Sequence, residues 1–327
     1  MKCFFSLLAV LIFVNGYSQE CSKDLLAAKP GIFKPGMGGS IHNVTATDLA
    51  KEKAVLNTIF NKIKGAYSPT GCEANYNFVF GKNLNAGVNW KADPYYHSLY
   101  LLRFLCDSHD PNHIKYYVDV ETPTVMTVAA NVVYGLNTLW AAGIPSDDLR
   151  EYLKLDRRPE LIDGYLYMGD FPMNNNSTVR ELVWMITYSP DSLPFSYVSR
   201  KEYLGMERKR LLKDMKDSPS EVRYFQGFID RIDQYLTSSS ATELNEPACC
   251  MWNQEERFEN FVPEGTQGSF IAVKPNLSYY HKNLPLSSPQ FFSVSFKYAK
   301  EEPVFVKNIE ALKKAIDFNE LHKMLGK

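Results

Sequence analysis

The stretch CDSHDPNH, residues 106–113, holds one cysteine, two histidines and two aspartates. Zinc and related ions want three or four nitrogen, sulfur or carboxylate ligands, often with histidines three to five residues apart. His109 and His113 have that spacing, and Cys106, Asp107 and Asp110 stand beside them. Yet Asp110-Pro111-Asn112 is a strong turn signal between two strand-like runs. A turn scatters its side chains toward water, and Pro111 removes the i,i+4 geometry that would help on a helix. His109, His113 and Asp107 are thus metal candidates by count, and a polar hairpin tip is the stronger expectation.

A second constellation is Asp119 with Glu121 in YYVDVET. Residues two apart on a strand share a face, so burial could split the two carboxylates into an acid and a base. The plainer expectation is the solvated face of an antiparallel strand, with Val118 and Val120 turned to the core. No GxSxG, HExxH, phosphate-binding loop or CxxC is present. No cofactor is expected. The chain has 20 Tyr and 20 Phe. Tyr95, Tyr96, Tyr100, Tyr116 and Tyr117, with Trp90 and Trp140 near in sequence, could stack on sugars or fill a core.

These side chains need a frame. Residues 19–44, with KPG twice and GMGGS, read as an irregular arm. Thr45-Ala-Thr-Asp48 opens a helix, along which Leu49, Leu56, Ile59, Phe60 and Ile63 recur at helical spacing. From about 73 to 134 the aromatic and β-branched runs YNFVFG, YHSLYLLRFLC and HIKYYVDVE predict strands, and 125–134 is read as strand as well. LIDGYLYMG and ELVWMITYS are two further strand candidates. Ser199 and Ser218-Pro219 then start two amphipathic helices, an αα-hairpin over 199–236. GSFIAVKP and QFFSVSFKYA are strand-like, and a last helix starts near Asn308.

The fold class expected is α+β. A helix packed on an antiparallel meander spans 45–198 and resembles the cystatin-like and NTF2-like layout in outline only. A helical hairpin at 199–236 and a small mixed C-terminal region at 237–327 follow.

Residues 1–18 read as a secretory signal peptide: Lys2, an apolar run from Cys3 to Val14, then Gly16-Tyr17-Ser18 as small–x–small. No later stretch is apolar enough to span a bilayer, so no integral membrane segment is expected after cleavage. The net charge of −1 gives no electrostatic reason to expect nucleic acid. Past residue 18 lie Cys21, Cys72, Cys106, Cys249 and Cys250, and an oxidising compartment permits disulfides. Spacing cannot select the pairs. Cys72–Cys106 is the pairing expected, on neighbouring strands.

The segment VWMITYSPDSLPFSYVSRKEYL, 183–204, resembles a phrase found in uncharacterised secreted proteins of Bacteroidetes-type bacteria. The resemblance covers about twenty residues and implies export, with no chemistry attached. The sequence therefore points to a secreted or periplasmic protein that binds an unknown ligand or protein partner without catalysis. The alternatives are a hydrolase of cell-wall or other polymers using dispersed carboxylates, and an assembly protein docking through the helical hairpin.

Overall fold

The structure, a computed structural model, describes residues 20–81, 92–121, 124–132, 137–138, 153–173, 176–252 and 258–327. The expected signal peptide at 1–18, residues 133–134 of the expected strand, Trp90 and Trp140 lie outside them.

In chain order the helices are α1 (Lys23–Ala28), α2 (Ala46–Ala66), α3 (Arg200–Asp217), α4 (Val222–Ser238), α5 (Ala241–Asn245), α6 (Pro303–Ala315) and α7 (Phe318–Lys323). The strands are β1 (Phe33–Pro35), β2 (Ser40–Ile41), β3 (Cys72–Phe80), β4 (Tyr95–Cys106), β5 (Tyr116–Val118), β6 (Val125–Ala130), β7 (Asn137–Thr138) and β8 (Leu153–Leu155). They continue with β9 (Glu160–Ile162), β10 (Tyr165–Met173), β11 (Asn176–Ile186), β12 (Phe195–Tyr197), β13 (Cys249–Met251), β14 (Ser269–Pro275) and β15 (Phe292–Ala299).

The α+β class holds. The larger sheet has the order β1-β3-β4-β6-β15-β11-β10-β9, with β2 on β3 and β5 on β4. The second has the order β12-β14-β8-β7, with β13 on β14. Helix α2 packs on the antiparallel strands β3, β4 and β6. Beyond β6 the sheet leaves the expected outline. β15, from the region read as a separate C-terminal part, runs between β6 and β11 and ties both ends of the chain into one ladder.

Four layers result. Helix α2 starts at Thr45, whose hydroxyl accepts the Asp48 N–H at 3.1 Å. Its stripe of Leu56, Ile59 and Ile63 packs with Ile309 and Leu312 of α6 onto Leu99, Val128, Val294 and Phe296 of the larger sheet. The opposite face of that sheet, at β10 and β11, meets the second sheet through Leu166, Met168, Val183 and Met185 against Leu155, Ile271 and Val273. The second sheet turns Phe270 and Ala272 the other way, onto Leu204, Leu211, Ile229 and Ile232 of the α3–α4 hairpin. β14 is covered on both sides, which is why its centre, FIAV, is an unbroken apolar run rather than an alternating one. Each fully buried aliphatic or aromatic side chain contributes about 1.5–3 kcal/mol.

Several expectations need correction. The arm at 19–44 is not irregular throughout: α1 forms behind the Ser22 cap, and β1 and β2 add parallel to β3. Gly31 is required there, since a Cβ would sit 1.8 Å from the Cys72 backbone carbonyl oxygen. LIDGYLYMG is a hairpin rather than one strand. Asp163 and Gly164 both take positive φ, 52° and 85°, and turn β9 into β10. Ser218 makes no side-chain cap; Pro219–Glu221 form a 3-10 turn before α4. The last long helix begins at Pro303, ahead of Asn308, because proline needs no N–H partner in a first turn.

The expected Cys72–Cys106 disulfide is also overturned. Cys106 is bonded to Cys21, and Cys72 is a buried free thiol. Cys72 lies opposite Arg103 on β4. Cys106 is three residues further, so strand alternation points it to the other face of the sheet. Burial pushes the Cys72 thiol up to about 12, as expected of an inert core side chain.

Candidate functional site

The 106–113 loop is a hairpin tip between β4 and β5. The Asp110 carboxylate accepts the N–H groups of Lys115 (2.7 Å), Ile114 (2.8 Å) and Asn112 (3.3 Å). Those bonds, Lys115 foremost, hold the carboxyl below its usual range. His113 sits in the left-handed region with φ 50°, and its carbonyl accepts the Cys21 N–H. The His109 side chain is 95% exposed, and Asp107 accepts the His109 backbone N–H. Among the described residues no three His, Cys, Asp or Glu side chains gather to hold a metal. The loop spends its acids on backbone donors and its cysteine on the disulfide.

Asp119 and Glu121 do not form a pair either. β5 ends at Val118, so the two lie beyond the strand that would have aligned them. Asp119 accepts Arg103 Nε at 3.0 Å and the Glu121 N–H at 3.1 Å, while Glu121 is exposed. Arg103 also holds Glu302, at 3.0 Å. Asp119 is thus part of a surface ion network.

The structure does assemble a site that none of these residues signalled. On the face of the larger sheet that β10 and β11 turn toward the second sheet, the strands β3, β4, β6 and β15 carry polar side chains. Register aligns Asn77, Ser98, Thr127 and Ser295 in one row, which continues into Val183. The next row reads Asn75, Tyr100, Val125, Lys297 and Glu181. The row on the other side holds Val79, Tyr96, Ala129 and Ser293. Ser98 and Thr127 share a 3.0 Å hydrogen bond between hydroxyls. Both are buried with Ser295, while Asn75, Asn77, Tyr96, Glu181 and Lys297 are half-buried around them and Tyr100 is exposed. Among the described residues the side-chain oxygens of Asn75 and Asn77 have no hydrogen-bond partner. Burial raises the Glu181 carboxyl, against the opposing effects of the Ser295 hydroxyl and Lys297. Burial also raises the Tyr96 phenol, with Tyr100 adding to it.

A second polar cluster lies where β3 ends and β4 begins. Glu52, on the buried stripe of α2, is fully buried, and its Oε2 accepts the Gly81 N–H at 2.9 Å while Oε1 has no partner among the described residues. Burial, with lesser repulsion from Asp93 and Asp48, pushes its carboxyl up to about 7. Asp48 is held below its usual range by the hydroxyls of Thr45 and Ser287. Asn131, with φ 59°, clamps the surroundings: its amide donates to the Asp93 and Ser288 carbonyls and its oxygen accepts the Gln290 N–H.

Both sites left a trace in the sequence. FSVSFKY alternates aromatic or aliphatic with polar residues at period two, and Glu52 interrupts an apolar helical stripe at 52, 56, 59 and 63. Neither trace shows which strands become neighbours. Comparison with family models, with curated proteins and with solved structures gives no match to this chain.

Proposed function

We propose that this is an exported, non-catalytic ligand-binding protein whose site is the polar half of the larger sheet, and that the ligand is a carbohydrate. The single observation that carries the reading is the Asn77–Ser98–Thr127–Ser295 row, flanked by Tyr96 and Tyr100, on a face whose other half is apolar. Hydroxyls, amides and their unpartnered oxygens suit a ligand rich in both donors and acceptors. Tyrosine rings supply flat apolar area with a polar tip. Export is supported by the signal-like N-terminus and by the Cys21–Cys106 disulfide, which belongs to an oxidising compartment.

Distance argues against hydrolysis on this face. Its described carboxylates are Glu181 on β11 and Glu73 on β3, and Glu73 is ion-paired to Lys34. Four strand-to-strand steps separate them, roughly 19 Å at ~4.8 Å per step. Paired glycosidase carboxylates stand ~5–9.5 Å apart. A hydrolytic reading rests instead on Glu52, a raised acid near the lowered Asp48.

Calorimetric titration with cellohexaose, laminarihexaose and chitohexaose tests the proposal. One of them binds, and Asn77→Ala and Tyr100→Ala weaken it. Millimolar hexasaccharide without heat from any of the three sinks the carbohydrate reading. Release of reducing ends that Glu52→Gln abolishes would replace it with the hydrolytic one.

A further inference from the structure

A cleft of about 310 Å³ opens between α1 and the β4–β5 hairpin, at the end of β4 beyond the residues of the polar sheet face. Leu25, Leu26, Ala28, Ile114 and Tyr116 line it, together with Lys29. Leu25 and Ala28 fall at i and i+3 on one side of α1, with Cys21 just ahead of its N-cap and Lys29 at its C-cap. The wall opposite is the outer end of the hairpin.

Two properties set the cleft apart from an ordinary surface groove. Its apolar lining is left open: Leu25, Ile114 and Tyr116 are exposed by 37%, 41% and 43%. It carries one cation. The Lys29 ammonium stands 4.8 Å from the Tyr116 ring centroid, and among the described residues no carboxylate pairs with it. Both walls are fixed. The Cys21–Cys106 disulfide and the bond from Cys21 N–H to the His113 carbonyl pin α1 to the hairpin, and Asp110 braces the turn from within. The volume is at the small end of the range for ligand pockets, ~300–1,000 Å³.

We infer that this cleft binds a small amphiphile with one carboxylate, its acyl or aryl body on Leu25, Ile114 and Tyr116 and its head group on Lys29. The inference is independent of the carbohydrate reading, since no residue is shared. It also gives the CDSHDPNH loop a use that does not involve metal: Asp110 and Cys106 hold Ile114 and Tyr116 in place as one wall.

The test is calorimetric titration of the oxidised full chain with octanoate and with 3-phenylpropanoate, which separates an acyl from an aryl body. Octylamine, of opposite charge, serves as the comparator. At least one acid binds with unit stoichiometry and octylamine does not. Lys29→Gln weakens the acid about tenfold, as the loss of a charge-assisted bond requires, and Lys29→Arg restores it. Ile114→Arg blocks the body and abolishes binding. Circular dichroism and urea unfolding confirm that each variant is folded. The inference is overturned if neither acid binds at ~10 mM, which corresponds to less than ~3 kcal/mol. It is equally overturned if octylamine binds as well as the acids, or if Lys29→Gln leaves their affinity unchanged.

Discussion

One face of the larger sheet has two characters. At β10 and β11 it presents Leu166, Met168, Val183 and Met185, which the second sheet covers. At β3, β4, β6 and β15 it presents Asn77, Ser98, Thr127 and Ser295 in the same hydrogen-bonded ladder. The backbone is equally satisfied in both halves, so the ladder does not decide what lies above it. The side chains do. The apolar half gains by excluding water beneath β8 and β14. The polar half is buried as well at Ser98, Thr127, Ser293 and Ser295, and its hydroxyls are met by protein partners, Ser98 by Thr127 and Ser293 by the Val132 carbonyl. The change of character falls at β15: Phe291, just before it, joins the apolar cluster, and the buried Ser293 and Ser295 within it do not.

The largest expected effect probes the covered half. Phe291 is fully buried against Tyr279 and Tyr280. Phe291→Ala should cost about 3–5 kcal/mol in urea unfolding. A loss below ~1 kcal/mol would mean that the two halves do not differ in how tightly they are packed.

Next comes a polar group on the apolar, helix-covered face. Glu52 ionises near 7 in the folded protein against 4.5 in a free chain. Its folded pKa is raised, so its contribution is fully present below pH 4.5 and is lost as the pH rises from 4.5 to about 7. Glu52→Gln removes that loss. The variant should match the parent near pH 4.5 and exceed it at pH 8 by about 1–2 kcal/mol, a figure reduced for residual solvent screening. Parallel stability curves for the two proteins across that range would show that Glu52 is not desolvated.

Within the polar half the expected changes are smaller. Ser98→Ala leaves the Thr127 hydroxyl without its partner and should cost about 1 kcal/mol. Adding Thr127→Val should recover part of that loss, because no donor or acceptor then remains unmatched. Strict additivity in denaturant melts would mean that the two hydroxyls do not act as a pair. Tyr100→Ala is the mildest of the set. The ring is exposed, so stability should shift within about 0.5 kcal/mol. Hexasaccharide affinity should nonetheless fall about tenfold, since the variant removes the flat apolar ring on which a sugar face would rest. A drop in stability with affinity intact would make Tyr100 a packing residue instead.

Local elements were largely legible in the sequence, and for local reasons. Thr45 and Ser199 cap helices because a short hydroxyl reaches the N–H three residues on, whatever the rest of the fold does. Val125–Ala130 is a strand because β-branched residues suit a pleated surface. The DPN turn read as a hairpin tip is one, because Asp110 satisfies the turn from within itself. What was missed depended on partners distant in sequence. His109 and His113 have metal-like spacing, but among the described residues no third ligand gathers with them. Asp119 and Glu121 lie two apart, but the strand stops before them. Cys72 and Cys106 lie near in strand order, but the pleat sends them to opposite faces, and Cys106 finds Cys21 across 85 residues.

By itself, the sequence determined the helix starts, the strand-forming runs, the turns and the period-two alternation that gives β15 one polar side, because propensity and capping act within a few residues. Only the tertiary structure decided that β15 enters between β6 and β11, that its serines fall in line with Ser98 and Asn77, and that Glu52 is closed off from water. Those outcomes follow from which surfaces bury each other, and burial is a property of the assembled layers rather than of any one segment.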